Sequence, residues 1–431
     1  MSPLDQQLEQ GLCEHRQASG WCVAFSGGLD STVLLHALVR HQRRQGGPPL
    51  RAIHIHHGLQ AVADSWPEHC RAVCSALDVP LQVLHVQVAQ EASIEQAARE
   101  ARYAAFAGNL QQGELLLVAQ HLDDQAETLL LRLLRGSGVS GLQGMPAVRP
   151  LGQARLLRPL LGVPRSLLEA YAAEHGLYWI EDPSNQADGH DRNFLRNRVM
   201  PLLRQRWPAL DDVLQRTGRH MREAQQLLDE LAMQDLQAAR LEPRPAWLPL
   251  ECLDLQQLRQ LSAARQINLL RHWLRDRTAL PDSAHWQGWH ALRDAAVDGQ
   301  PLWQLQQGAL VRHARRLYWL PGHWQQPPPE PEIVVAEAGS HSLPGNGILQ
   351  LAGTPVQPLQ VRYRQGGERL ELPGRGRRDL KRLLQEQQVP VFLRNRLPLL
   401  FMGDRLLLVA GIPELTAAGA ASLQATWQPP D

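Results

Sequence analysis

The sequence predicts an α/β fold: an open parallel sheet at the N-terminal end, then a helical domain, then a small α+β domain. Three observations predict it. Residues 21–135 alternate short aliphatic runs with amphipathic stretches, the pattern of parallel strands joined by right-handed helical crossovers. Residues 210–320 lose that alternation and become rich in Leu, Gln, Arg and Ala at helical spacing. After the proline-rich stretch 326–332, short strand-like pieces frame one helical run. The expected boundaries are 1–208 for the first domain, 209–325 for the helical one, 326–345 for a Pro-rich linker and 346–431 for the last.

The first-domain strands are expected at 21–25, 50–56, 81–88 and 115–119, each rich in aliphatic residues and bounded by polar helical sequence. Open parallel sheets bind ligands beyond the carboxyl ends of their strands. Three motifs fall at such ends: Ser26-Gly27-Gly28-Leu29-Asp30-Ser31, His54-Ile55-His56-His57-Gly58-Leu59 and Ala119-Gln120-His121-Leu122-Asp123-Asp124-Gln125-Ala126-Glu127-Thr128. In the last domain, strand-like pieces at 333–335, 347–351 and 359–363 precede a helix at 378–388 and a strand pair over 399–409.

A strand, two glycines and a helix start form an anion site. The glycines let the backbone approach a ligand, and the first helical N–H groups point at it. Ser26 and Ser31 add hydroxyl donors, whereas Asp30 repels phosphate unless a divalent cation lies between them. Asp124 and Glu127 are three apart, on one face of a helix starting near Leu122. Carboxylates there suit Mg²⁺, with Asp30 and Asp124 as ligands, or removal of a proton from an attacking amine; helix capping also accounts for one of them. His57 and the Gly58 backbone are expected to contact nucleotide, while His54 fits either a ligand or a core histidine. Arg99 and Arg102 share a face of the helix over 93–106, for which Ser93 is a cap, and suit developing phosphate charge. Arg192, Arg196 and Arg198 open a helix at the end where cations are unfavourable without an anion partner.

Bulk properties exclude several alternatives. The chain of 431 residues has an ordinary globular composition and a net charge of +1, so overall charge does not argue for nucleic acid. Its single lysine, Lys381, rules out a Walker A loop, which needs Gly-Lys-Ser/Thr. The five cysteines form no CxxC pair and are expected to be buried thiols rather than disulfides or zinc ligands. No run approaches a membrane span and no basic-then-apolar leader opens the sequence, so cytoplasmic residence without a membrane is expected.

SGGLDS resembles the SGGxDS signature of the pyrophosphate-loop ATP enzymes, which have an adenine nucleotide α-hydrolase-like fold and cleave ATP between its α- and β-phosphates. SGGLDSTVLLHAL, AIHIHHGL, IEQAAREARYAAF, AQHLDDQAETLLLRLLRGSG and WIEDPSNQADGHDRNFLRNRVMPLL resemble, in order and spacing, the bacterial tRNA(Ile)-lysidine synthase family. The resemblance spans residues 20–210 and returns at 380–399, while the middle is only generically similar. It implies a ligase that uses ATP and Mg²⁺ to adenylate the wobble cytidine of a CAU-anticodon tRNA(Ile). Free L-lysine then displaces AMP, and the lysidine product shifts reading from AUG to AUA. Ser26, Gly27, Gly28, Leu29, Asp30, Ser31 and His57 would hold nucleotide and metal. Asp124 and Glu127 would orient or deprotonate the lysine amine, and Arg102, Arg192 and Arg196 would meet phosphate or the activated base. A homodimer is one expected assembly.

The tail carries its own hint of RNA. Residues 361–396 hold Arg362, Arg364, Arg369, Arg375, Arg377, Arg378, Lys381, Arg382, Arg394 and Arg396 against four acidic residues. A basic patch of that kind is the footprint of phosphate-backbone contact, and Arg377, Arg378, Lys381 and Arg382 are its expected centre. A tRNA-thiolating relative would need paired reactive cysteines, and an amidotransferase a glutaminase segment; neither is present.

Overall fold

The apolar run after Ser19 becomes the central strand of a six-stranded sheet. The computed structural model describes residues 2–56, 58, 61–87, 94–282, 285–296, 299, 301–331 and 333–430. Its chain divides into two units, Met1–Gln226 and Leu227–Asp431.

In the first unit the strands are β1 (Gly20–Ala24), β2 (Leu50–His56), β3 (Leu81–His85), β4 (Glu114–Leu117), β5 (Val148–Leu151) and β6 (Ala154–Leu157). Their spatial order is β3-β2-β1-β4-β6-β5, and every pairing is parallel except the β5–β6 hairpin. The helices are α1 (Pro3–Leu12), α2 (Leu29–Gln45), α3 (Trp66–Leu77), α4 (Ile94–Asn109), α5 (Leu122–Leu134) and α6 (Arg165–Glu174). Trp21 and Val23 of β1 pack with Leu34, Leu38 and Leu168 on one side. Cys22 packs on the other side with Ile53, Phe106, Leu116 and Leu156. Both sheet faces are therefore covered, which is why these strands read as continuous apolar runs. The strand order reverses beside β1, between β2 on one flank and β4 on the other. The loops after β1 and β4 meet at that switch point, where open sheets hold ligands.

After α6 the chain makes a short 3₁₀ turn (Pro183–Gln186), then α7 (Asp191–Phe194), a π-helical turn (Leu195–Val199) and α8 (Met200–Arg206). A π turn inserted in a helix commonly marks a functional site, and this one carries Arg196.

The second unit contains the expected helices and also strands. Helices Leu255–Gln260, Ala263–Leu274 and Gln287–Asp294 are joined by a five-stranded antiparallel sheet. Its strands run in the order Arg240–Leu241, Cys252–Asp254, Arg316–Pro321, Gly308–His313, Leu302–Gln304. Leu310, Leu317 and Trp319 pack against Trp273 and Trp289 of the helices. Tyr318, Leu320 and Cys252 point into a second core. Strands buried on both faces show no polar alternation, so helical spacing dominates this stretch of sequence. The tail forms a six-stranded mixed sheet and a three-stranded antiparallel one, with helix Leu380–Glu386 between strands. Among the described residues, no helix is long and apolar enough to cross a membrane.

Candidate active site

Gly27 takes φ +85°, a conformation that glycine adopts without strain, and its carbonyl accepts from the Ile180 N–H at 2.9 Å. A Cβ at Gly27 would lie 2.7 Å from Ile180 Cδ1. The two glycines thus make a sharp turn that the segment around Ile180 closes over. Gly28 is the N-cap of α2. The Ser26 N–H donates to Ser31 Oγ at 3.2 Å, and the two hydroxyls lie 3.0 Å apart. Leu29 sends its side chain into the core, so only its backbone is available to a ligand.

Asp30, in the first turn of α2, has a buried Oδ1 with no hydrogen-bond partner among the described residues. Its Oδ2 lies 3.6 Å from Nε2 of His121, the N-cap of α5. His121 is fully buried and also lies 3.7 Å from Asp123 Oδ1 and 3.5 Å from Asp124 Oδ2. Burial opposes its protonation, but the carboxylates of Asp123, Asp30 and Asp124 outweigh that and raise its pKa to about 10. The His121 ring therefore lies between the β1 loop and the β4 loop, its charged form favoured by the surrounding carboxylates, with neither ring nitrogen in a hydrogen bond among the described residues.

Asp124, together with Glu127, also meets two arginines. Arg196 Nε donates to Glu127 Oε1 at 2.6 Å, and its Nη2 donates to Glu127 Oε2 and to Asp124 Oδ1, both at 2.8 Å. Arg192 Nε donates to Glu127 Oε2 at 3.0 Å and its Nη2 to Asp124 Oδ1 at 3.1 Å. The expected (i, i+3) face is thus the face that receives α7 and the π turn. Burial works to raise the Asp124 pKa, but His121, Arg192 and Arg196 hold the carboxyl below its usual range. Asp123 turns away, accepting from the Arg165 N–H at 2.9 Å and from Arg204 Nη2 at 2.7 Å.

The structure joins Asp30, Asp124, Glu127, Arg192 and Arg196 in one charged network with His121 at its centre. Arg102, on α4, stands in a second cluster, where the guanidiniums of Arg149, Arg99 and Arg102 lie 4.7, 5.2 and 5.9 Å from the Tyr103 ring centroid. His57 and Ser93 lie outside the described residues. His54 is buried beside the Phe25 carbonyl, with Nδ1 2.9 Å away, as a core histidine would be. Burial pushes the Cys70 and Cys74 thiols up to about 12 and about 11, leaving them unreactive. Cys13 departs from the expected burial and is exposed.

A Mg²⁺ ion bound largely through substrate phosphates needs few protein ligands. The donor set fits that need on one side only. Asp30 offers an unpartnered oxygen, whereas both Asp124 oxygens already accept hydrogen bonds. Among the described residues no group of three or more His, Cys, Asp or Glu is arranged to hold a metal by itself.

In the tail, Arg377 and Arg378 lie on the fully exposed strand Gly376–Asp379, and Lys381 and Arg382 on the exposed face of the next helix. Arg394 and Arg396 depart from the expected basic surface, being buried. Spacing alone did not single out His121 or Arg204. Their only sequence signals are a histidine two residues before the Asp123-Asp124 pair and an arginine eight residues after Arg196.

Family models match three stretches: a PP-loop domain over residues 2–203, a TilS substrate binding domain over 253–318 and a TilS substrate C-terminal domain over 359–428. The tRNA(Ile)-lysidine synthase of Pseudomonas aeruginosa is 56% identical over 432 residues, covering 99% of this chain and 98% of its own. That of Pseudomonas fluorescens is 55% identical over 433 residues, covering 99% and 97%. Among solved structures, the U34-tRNA thiolase NcsA of Methanococcus maripaludis with its [4Fe-4S] cluster matches 51% of this chain and 78% of its own, with a TM-score of 0.44 at 14% identity. That likeness is too slight to carry an argument.

Proposed function

The chain belongs to the tRNA(Ile)-lysidine synthase family, ligase-type enzymes built on a PP-loop ATP-binding domain, and on that premise we propose that it joins free lysine to the wobble cytidine of CAU-anticodon tRNA(Ile). In the first step the cytosine carbonyl oxygen attacks the α-phosphorus of ATP and pyrophosphate leaves. In the second the lysine side-chain amine attacks the activated ring carbon and AMP leaves. The observation that carries this reading is the convergence of the glycine turn, the open oxygen of Asp30 and the Asp124–Glu127 pair around one buried histidine, His121.

Each residue has a part. The Gly27–Gly28 turn and the first N–H groups of α2 would cradle phosphate, with Ser26 and Ser31 as hydroxyl donors. Mg²⁺, when bound, would neutralise phosphate charge; the open oxygen of Asp30 would hold it, with Asp124 joining once Arg192 and Arg196 release its Oδ1. Asp124, kept ionised, attracts the lysine ammonium, and Asp124 or Glu127 takes its proton before attack. Both carboxylates are capped by Arg192 and Arg196, so those arginines would release them as they turn to phosphate or the activated base. Arg102 would act on the same charge from α4. Arg377, Arg378, Lys381 and Arg382 would contact the tRNA backbone.

Product stoichiometry tests this reading. One AMP and one pyrophosphate per lysine joined, and neither without tRNA, is expected. ADP as the nucleotide product would overturn the adenylation step.

A further inference from the structure

The second unit holds a cavity of about 890 Å³ that the proposed chemistry does not use. Arg312, Arg394 and Arg396 line it, and all three are at least nine-tenths buried. Their hydrogen bonds go to uncharged groups. Arg312 reaches the Leu292, Arg293 and Ala296 carbonyls, Arg394 the Val389 carbonyl, and Arg396 Asn346 Oδ1 and the Gln326 carbonyl. Among the described residues lining the cavity there is no Asp or Glu. Three buried positive charges thus have neutral hydrogen-bond acceptors but no ion-pair partner among the described residues, an arrangement that favours an anion.

The remaining lining is specific. Trp324 is buried beneath Arg396, 5.1 Å from its guanidinium, and its Nε1 has no partner among the described residues. Phe392 adds a half-buried ring. Gln385, Gln388 and Asn395 are exposed carboxamides. Cations, aromatic rings and carboxamides together are the groups that take phosphate, base face and base edge of a nucleotide. The volume lies within the range of small-ligand pockets.

Two facts point to RNA as the source of that nucleotide. The lining comes from both substrate-domain matches, 253–318 and 359–428, and the segment between them. Helix Leu380–Glu386 carries exposed Lys381 and Arg382 at one end and cavity-lining Gln385 at the other. We propose that the cavity receives one unpaired nucleoside monophosphate unit of the RNA substrate, an inference that rests on the tRNA reading above.

The test uses the full chain and a tRNA(Ile) transcript with 2-aminopurine placed in turn at each unpaired position outside the anticodon loop. One position should change fluorescence on binding. The exposed-residue double variant Gln385→Glu/Asn395→Asp, checked for folding by circular dichroism, should abolish that change and raise KM for tRNA about tenfold, with kcat within about twofold. No responding position, or unchanged tRNA affinity in the variant, overturns the proposal. Free AMP or CMP that binds the cavity without competing with tRNA assigns the site to a free nucleotide and overturns the RNA source. A fluorescence response in a protein that transfers no lysine leaves the cavity standing and overturns the lysine-transfer reading instead.

Discussion

Asp30 and Glu127 meet their charge partners in opposite ways. Glu127 has both oxygens filled by guanidinium donors, while Asp30 keeps one buried oxygen without a donor. Asp30→Asn preserves size and removes the charge. It should lower lysine transfer by about a hundredfold or more while tRNA binding, read by filter retention, stays at the wild-type level. Near-normal turnover would remove Asp30 from the site. Arg196→Lys keeps a cation but cannot reproduce the fork on Glu127, so turnover should fall by about tenfold or more. Lysine is the better probe than alanine here, because an unmatched charge from a buried pair costs roughly 3–5 kcal/mol and confuses stability with chemistry. Single side chains were unevenly legible. Asp30, Asp124 and Glu127 stand in contiguous motifs at strand ends, where topology brings ligands. His121 gains its role only when Asp30, some 90 residues away, joins Asp123 and Asp124 around it.

Secondary elements depend on a few terminal contacts. The Ser2 hydroxyl caps α1 by accepting the Asp5 N–H at 3.1 Å, and Asp5 pairs with Arg44 at the end of α2 at 2.8 Å. Burial works to raise the Asp5 pKa, but Arg44 and the Ser2 groups lower it to about 2. Because the folded value lies below the unfolded one, this contact stabilises the fold fully above about pH 4 and is lost as pH falls through about 2. Asp5→Asn should therefore lower Tm at pH 7 and lower it progressively less as pH falls from about 4 to about 2, as read by thermal melts in parallel with wild type. A variant equally destabilised across that range would refute the pairing. Gly27→Ala forces a side chain into φ +85° and against Ile180, so it should reduce ATP binding more than it reduces Tm. Equal loss of both would make the turn merely structural. The parallel strands and their helices were legible because their apolar runs are separated by polar helical sequence. The antiparallel strands of 240–321 were not, since both faces are buried and helices of similar composition flank them. Nor does sequence spacing announce the π turn at Leu195–Val199, whose Arg196 pairs with Glu127, 69 residues away.

Across the full chain, the tail divides its arginines between surface and interior. Arg377, Arg378 and Arg382 are exposed, whereas Arg394 and Arg396 are buried and line the cavity of the second unit. Reversing the three exposed charges to Glu should weaken tRNA binding and flatten its dependence on salt by roughly one unit of log–log slope per lost phosphate contact. Unchanged affinity would take this surface out of the interface. Composition could not make that division, because it counts charges without placing them. One site is proposed to use ATP to join lysine to a specific tRNA. Incorporation of radiolabelled lysine into unmodified CAU tRNA(Ile) transcript, with tRNA(Met) as control, tests it most directly. ATP-dependent label in tRNA(Ile) and not in tRNA(Met) is the predicted result. No label in either, while the protein still consumes ATP with another nucleophile, would contradict it.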